Sequence, residues 1–233
     1  IPNTITSMNL LSGVLGVIFT FRGRFDIAFA LMLAAAVFDF FDGLSARLLG
    51  AYSEMGKELD SLSDMVSFAV LPTCMLVCLM RACTFSESVW CYTPVVLAVA
   101  GGLRLARFNS NGREESGFEG LATPAAALIC GSLCYFIVKH PDTFLSAWAA
   151  DYIFIPVLAL CLSALMVSRI PMFSLKFKKG ESGTHVQKIA AFTLNVLIVV
   201  AMVAIMSLDW SLVVLLALLV YVLTNIVFAL FKV

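Results

Sequence analysis

Four aspartates crowd one otherwise apolar part of the chain: Asp39-Phe-Phe-Asp42-Gly43-Leu-Ser-Ala46-Arg47, then eight residues, then Gly56-Lys-Glu-Leu-Asp60-Ser-Leu-Ser-Asp64. A charge inside a bilayer costs at least about 2.5–3.5 kcal/mol near a helix centre, so four like charges need a reason. At about 100° per helical residue, Asp39, Asp42, Gly43, Ala46 and Arg47 share one helix face, and Gly56, Asp60 and Asp64 share one face of the next helix. The short link between these helices makes them antiparallel neighbours, and their acidic faces can meet at one end of a bundle. Four carboxylates without a matching set of Lys or Arg call for a cation. Hard oxygen donors suit Mg2+, Mn2+ or Ca2+ rather than zinc. Gly43 and Ala46 leave room for a ligand beside the helix backbone, and Arg47 suits a phosphate, which it can hold in a bidentate fork. Together these residues describe a site for a metal-bound diphosphate at the membrane surface. Transporters and pumps also place acids within the membrane, and spacing alone leaves that alternative open.

The elements that must position these residues are membrane helices. Of 233 residues, 61% are hydrophobic and 13% charged, against about 25% charged in an average soluble domain. Fifteen basic and fifteen acidic residues cancel. This composition excludes a soluble enzyme, a disordered protein and a nucleic-acid binder, which needs a basic surface. The expected fold is all-α: a polytopic membrane helical bundle, one domain over residues 1–233, with about eight transmembrane helices. The expected spans are 5–21, 25–49, 65–80, 88–103, 120–138, 152–168, 189–208 and 210–231, near the roughly 20 apolar residues that a crossing needs.

Eleven of the fifteen Lys and Arg fall in segments following the second, fourth, sixth and eighth spans, and Arg22, Arg24, Arg81 and Lys139 fall on the other side. The positive-inside rule then puts the acidic cluster and both termini in the cytoplasm. A multi-pass protein of a prokaryotic cytoplasmic membrane is expected. Ile1-Pro2-Asn3-Thr4 has no basic n-region, so the start does not read as a signal peptide. The polar insert at 169–187, with Lys176-Phe177-Lys178-Lys179-Gly180, reads as a solvated loop touching anionic lipid. Cys74, Cys78, Cys83, Cys91, Cys130, Cys134 and Cys161 lie in or beside apolar runs, without a Cys-x-x-Cys pair and far from His140 and His185. They read as small packing residues, not as disulfides or a zinc site. Pro72, Pro124 and Pro156 lie in expected helices, where a proline packs or bends the helix.

The spaced acids resemble the signature of the CDP-alcohol phosphatidyltransferase family, D-x2-D-G-x2-A-R-x8-G-x3-D-x3-D. All eight fixed positions are present: Asp39, Asp42, Gly43, Ala46, Arg47, Gly56, Asp60 and Asp64. Pro2-Asn3, Thr6 and Asn9 resemble the phosphatidylserine synthase branch of that family. So do Asp60-Ser-Leu-Ser-Asp64-Met-Val-Ser-Phe, Leu103-Arg104-Leu-Ala-Arg107-Phe-Asn109 and Gly120-Leu-Ala-Thr123-Pro124-Ala-Ala, with Ala122 departing from an expected proline. The resemblance implies transfer of a phosphatidyl group from CDP-diacylglycerol to L-serine, with release of CMP. It implies that Asp39, Asp42, Asp60 and Asp64 hold two divalent ions, Mg2+ or Mn2+. It also implies that Asn3, Gly43, Ala46, Arg47 and Ser53 contact the CDP-lipid, that Asp64 accepts a proton, and that the protein is a homodimer.

A serine hydroxyl is a poor nucleophile at neutral pH, and an adjacent carboxylate can take its proton as the new bond forms. No Ser-His or Cys-His pair stands out as a nucleophile, which favours direct transfer over a covalent intermediate. The carboxylate of serine needs a cationic partner. Arg104 and Arg107, followed by Asn109, sit at the end of the fourth span on the side of the acids. Other acceptors (glycerol 3-phosphate, inositol phosphate, an amino alcohol) fit the same chemistry, with the basic stretch at 176–179 available to a phosphorylated one. A cation transporter is the third reading.

Overall fold

The computed structural model of the protein describes residues 2–50, 53–84, 88–110, 120–170 and 209–231, with side chains as far as 226. Among these residues there are helices and no strands. They are α1 (Pro2–Phe21), α2 (Phe25–Leu49), α3 (Glu54–Thr84), α4 (Val95–Ser110), α5 (Thr123–Lys139), the short α6 (Phe144–Ala149), α7 (Phe154–Val167) and α8 (Trp210–Phe231). A tight turn at Val89–Tyr92 leads into α4. Four segments are long and apolar enough to cross a membrane: Pro2–Phe21, Phe25–Leu49, Glu54–Thr84 and Val89–Ser110. Seven of the eight expected spans coincide with helices. The other, 189–208, lies outside the described residues, as do the basic stretch at 176–179 and His185.

The third helix starts well before the apolar run that announces it. Ser53 is extended (φ −141°, ψ 148°) and its hydroxyl accepts the Gly56 N–H at 3.0 Å, while Glu54 occupies the first turn. Such a cap and such an acid both favour a helix start. Asp60 and Asp64 therefore ride on the polar end of a continuous spanning helix. At the other side of the link, α2 ends at Gly50, whose left-handed backbone (φ 60°) turns its N–H onto the Ala46 carbonyl.

Helix α5 lies at the centre, packed against α2, α8 and the second half of α3. Its buried residues include Ala126, Ala127, Cys130, Gly131, Ser132 and Cys134. Small residues let helix backbones approach where lipid offers no hydrophobic drive for association. A Cβ on Gly131 would stand 2.8 Å from the Phe29 ring and 2.9 Å from the Met32 sulfur. All seven cysteines are free thiols, and Cys130 and Cys134 are buried in this seam. Pro124 and Pro156 sit in the first turns of α5 and α7, where no N–H donor is needed, so they bend neither helix. Pro72 lies two residues past the end of a π-helical stretch of α3, Met65–Val70.

Candidate active site

Helix α1 forms the floor of the site. Thr6, Asn9, Ser12, Gly13, Gly16 and Thr20 are its buried residues, and it packs on both α2 and α3. Both acidic helices thus rest on α1, and α2 also meets α3 at the π-helical stretch. The approach of α1 is close. A Cβ on Gly13 would lie 2.4 Å from Ser67 Oγ, and one on Gly16 would lie 2.7 Å from Leu71 Cδ2. With α1 beneath them, the acidic ends of α2 and α3 bring their side chains together.

Three carboxylates do meet there. One oxygen each from Asp39, Asp42 and Asp60 lies within 4.8 Å of the others. Asp42 is buried, and its Oδ2 has no hydrogen-bond partner, while Thr6 reaches the same carboxylate. A carboxylate oxygen removed from water without a partner is costly, and a cation satisfies it. Beside Asp42, a Cβ on Gly43 would meet nothing within 4 Å, so open space borders the acids. Oxygen-only donors, an orphaned buried oxygen and room for a ligand fit a hard divalent cation.

Asp64 stands beside this trio, about one turn beyond Asp60. Its Oδ1 accepts a hydrogen bond from Asn9 Nδ2 at 3.3 Å. Ser67 Oγ donates to Asn9 Oδ1 at 2.7 Å, and lies 3.1 Å from the Asn9 carbonyl. An amide whose oxygen is taken in this way must present its NH2 group to Asp64. The π-helical stretch opens at Met65, directly after Asp64. Such insertions recur at functional sites because they re-aim neighbouring side chains.

Helix α4 crosses this same stretch. A Cβ on Gly101 would lie 2.6 Å from Ala69 Cβ, and one on Gly102 would touch Met65. Arg104 follows within a turn, lies within electrostatic reach of Asp64, and donates from Nη1 to Thr123 Oγ1 at 2.9 Å. Thr123 is placed by Gly120, which has φ 72° and donates its N–H to the Ile170 carbonyl at 2.9 Å. A Cβ there would strike the Met166 carbonyl at 2.6 Å, so only glycine fits. Arg107 instead reaches the Val167 carbonyl at 3.4 Å. Asn109 donates to Ser61 at 2.7 Å and accepts from Lys57 Nζ at 3.3 Å through its carbonyl. Of the three expected serine-binding residues, Arg104 is the one within electrostatic reach of Asp64, while Arg107 and Asn109 tie helix ends together.

The expected CDP-lipid residues spread along the rim. Arg47 is exposed in the last turn of α2, one residue after Ala46. The Ser53 hydroxyl is engaged as the cap of α3. Asn3 borders Gly56, where a Cβ would lie 3.0 Å from Asn3 Oδ1. Roles for Thr6, Asn9, Ser67 and Thr123 were not evident from the sequence. The available signal was a polar pair, Thr6 and Asn9, on the small-residue face of an apolar helix.

Comparison with known proteins agrees with this geometry. The CDP-alcohol phosphatidyltransferase family model matches residues 1–167. The CDP-diacylglycerol–serine O-phosphatidyltransferase of Mycobacterium leprae is 33% identical over 180 residues, covering 74% of this chain and 57% of that protein. The Methanocaldococcus jannaschii protein of the same name is 31% identical over 170 residues, 73% of this chain and 72% of that one. The archaetidylserine synthase of Methanothermobacter thermautotrophicus is 31% identical over 172 residues, 73% of this chain and 70% of that one. The match runs from the start of α1 to the last residue of α7 and contains every aspartate of the array; the chain belongs to the CDP-alcohol phosphatidyltransferase family.

Proposed function

We propose that the protein transfers a phosphatidyl-type group from a CDP-linked lipid to L-serine and releases CMP. The observation that carries this reading is the convergence of Asp39, Asp42 and Asp60 on one point, with Asp64 and Arg104 beside it. The names of similar proteins support serine as the acceptor. Two Mg2+ or Mn2+ ions, held by Asp39, Asp42, Asp60 and Asp64, would neutralise the diphosphate and polarise the transferred phosphorus.

The chain's own residues do the rest. Arg47 forks onto a phosphate, and Gly43 and Ala46 let the nucleotide lie against α2, with Asn3 and Ser53 at the rim. Arg104 pairs with the serine carboxylate and brings the serine hydroxyl toward Asp64. Arg107 and Asn109 hold the end of α4 that carries Arg104. Asp64 takes the hydroxyl proton as the serine oxygen–phosphorus bond forms and the bond to CMP breaks. Asn9 keeps the Asp64 carboxylate aimed. The distribution of Lys and Arg supports a cytoplasmic site, and family resemblance supports a homodimer.

The test is an acceptor panel. Purified protein is given CDP-diacylglycerol or its ether-linked counterpart, with Mg2+, Mn2+ or EDTA, and with serine, glycerol 3-phosphate, inositol phosphate or ethanolamine. Serine-dependent CMP release that EDTA abolishes is expected. Release with another acceptor but not serine overturns the acceptor, and no release under any condition overturns the transferase reading.

A further inference from the structure

Both arginines of α4 are held from one place, the C-terminal end of α7. Arg107 reaches it directly, through the Val167 carbonyl at 3.4 Å. Arg104 reaches it through the connector that leads into α5. Gly120 donates its N–H to the Ile170 carbonyl at 2.9 Å, and Leu121 donates to the Leu165 carbonyl at 3.0 Å. The last carbonyls of a helix have no partner within it, so Leu165 and Val167 accept these donors without giving up a helix bond. The left-handed backbone of Gly120 (φ 72°) lets the connector lie flat against them.

This arrangement delivers one hydroxyl. Thr123 opens α5, is fully buried, and accepts from Arg104 Nη1 at 2.9 Å. The hydroxyl has little freedom. A β-branched side chain is stiff at χ1, and Pro124 restricts the backbone of the residue before it. On its other side, Arg104 lies within a turn of Gly101 and Gly102, which pack on Ala69 and Met65, and Met65 directly follows Asp64.

A guanidinium carries five N–H donors, and Thr123 takes one of them on Nη1. Arg104 Nε is buried, with no hydrogen-bond partner among the described residues. Nε and Nη2 form the edge of a guanidinium that forks onto a carboxylate. A buried donor without a partner is costly, and an anionic ligand satisfies it. The neutral Thr123 hydroxyl steadies the guanidinium while leaving its charge and this edge to a ligand; a carboxylate at that position would compensate the charge instead.

We infer that Thr123 is a positioning residue for the acceptor: its hydroxyl holds Arg104 in the orientation that meets the carboxylate of an amino acid. This rests on serine being the acceptor and Arg104 its partner.

Wild type, Thr123→Val, Thr123→Ser, Arg104→Ala and the double variant Thr123→Val with Arg104→Ala are compared in steady-state assays with CDP-diacylglycerol, Mn2+ and serine. Thr123→Val keeps the shape, loses the hydroxyl, and raises the serine KM about tenfold while the KM for CDP-diacylglycerol stays within about twofold. Thr123→Ser restores the hydroxyl and stays within about threefold of wild type. In the Arg104→Ala background Thr123→Val lowers kcat/KM for serine by less than about twofold further, because the hydroxyl acts through the guanidinium. An unchanged serine KM in Thr123→Val or in Arg104→Ala, equal rises in both KM values, no rescue by serine at 123, or full additivity in the double variant overturns the inference. Should Thr123→Val fail to fold, Thr123→Ala removes the same hydroxyl and carries the same expectations. Failure of both to fold makes the hydroxyl a structural group and overturns the inference. A wild type inactive with serine removes the acceptor reading and this inference with it. A serine-active wild type with an indifferent Thr123→Val removes the inference alone.

Discussion

Asn9 on α1 holds the Asp64 carboxylate on α3 through a 3.3 Å hydrogen bond, and Ser67, one turn past Asp64, locks the Asn9 amide in the required orientation. The proposed base is thus aimed by a helix that contributes no acid. Asp64→Asn removes the proton acceptor and is expected to lower kcat by about 10²–10⁴-fold. Asn9→Leu leaves the carboxylate in place without its guide and should cost about 10–100-fold in kcat. Ser67 keeps the backbone carbonyl of residue 9 within reach, so the fold should survive, as thermal unfolding in detergent will report. Normal kcat in Asn9→Leu would show that α1 does not aim the base.

Two glycines, one in the motif and one on α1, separate function from assembly. A Cβ on Gly43 meets nothing, whereas one on Gly13 lies 2.4 Å from Ser67 Oγ and 3.0 Å from its Cα. Gly43→Val should fold as well as wild type, since valine is at least as good a helix residue. It should raise the KM for CDP-diacylglycerol about tenfold or more by filling ligand space. Gly13→Val must push backbones apart and should cost at least about 1–3 kcal/mol, seen as a lower unfolding temperature. The pair of variants is read by stability and KM together; a Gly43→Val protein with unaltered KM removes the nucleotide from that face of α2.

The legible and the illegible parts of this molecule divide along physical lines. The bounds of α2, residues 25–49, follow from its apolar length and the left-handed glycine that ends it. The helical spacing of Asp39, Asp42 and Asp60 already put them on facing surfaces, and their oxygens do converge. Partners distant in the chain were not legible. Asn9 and Asp64 are 55 residues apart, and nothing local says that α1 is wedged beneath the acids. Arg104 and Arg107 lie one turn apart and read alike, yet they diverge because Thr123 and Val167 come from different helices. The π-helical stretch carries no periodicity signal, since Ser67 is the one polar residue in the 65–70 run.

That divergence of the arginines can be measured. Arg104→Ala deletes the guanidinium within electrostatic reach of Asp64 and should raise the serine KM about 100-fold, as expected for loss of a charged hydrogen-bonding partner. Arg107→Ala removes a tie to the Val167 carbonyl and should act on stability and on both KM values alike, by about threefold or less. The readout is the ratio of serine KM to CDP-diacylglycerol KM in each variant. Equal ratios for the two would return the arginines to a common role.

The anchor opposite the site should be sensitive to acid. Burial by itself favours the neutral form of the Asp209 carboxyl, but hydrogen bonds and charge from His140 and Lys139 outweigh it and hold the group below its ordinary value. A carboxylate with a depressed folded-state pKa adds stability that is fully present above its unfolded value, near 4, and is lost as pH falls through the folded value. Asp209→Asn should therefore lower the unfolding temperature by a few degrees at pH 5, and the gap to wild type should close as pH drops below about 4. Lys139 is half-exposed, so salt should narrow the gap as well. The same pair ties the start of α8 to the end of α5. An Asp209→Asn protein as stable as wild type at pH 5 would mean that packing alone holds the start of α8, with Trp210 against Phe29 and Tyr135 as the sufficient contact.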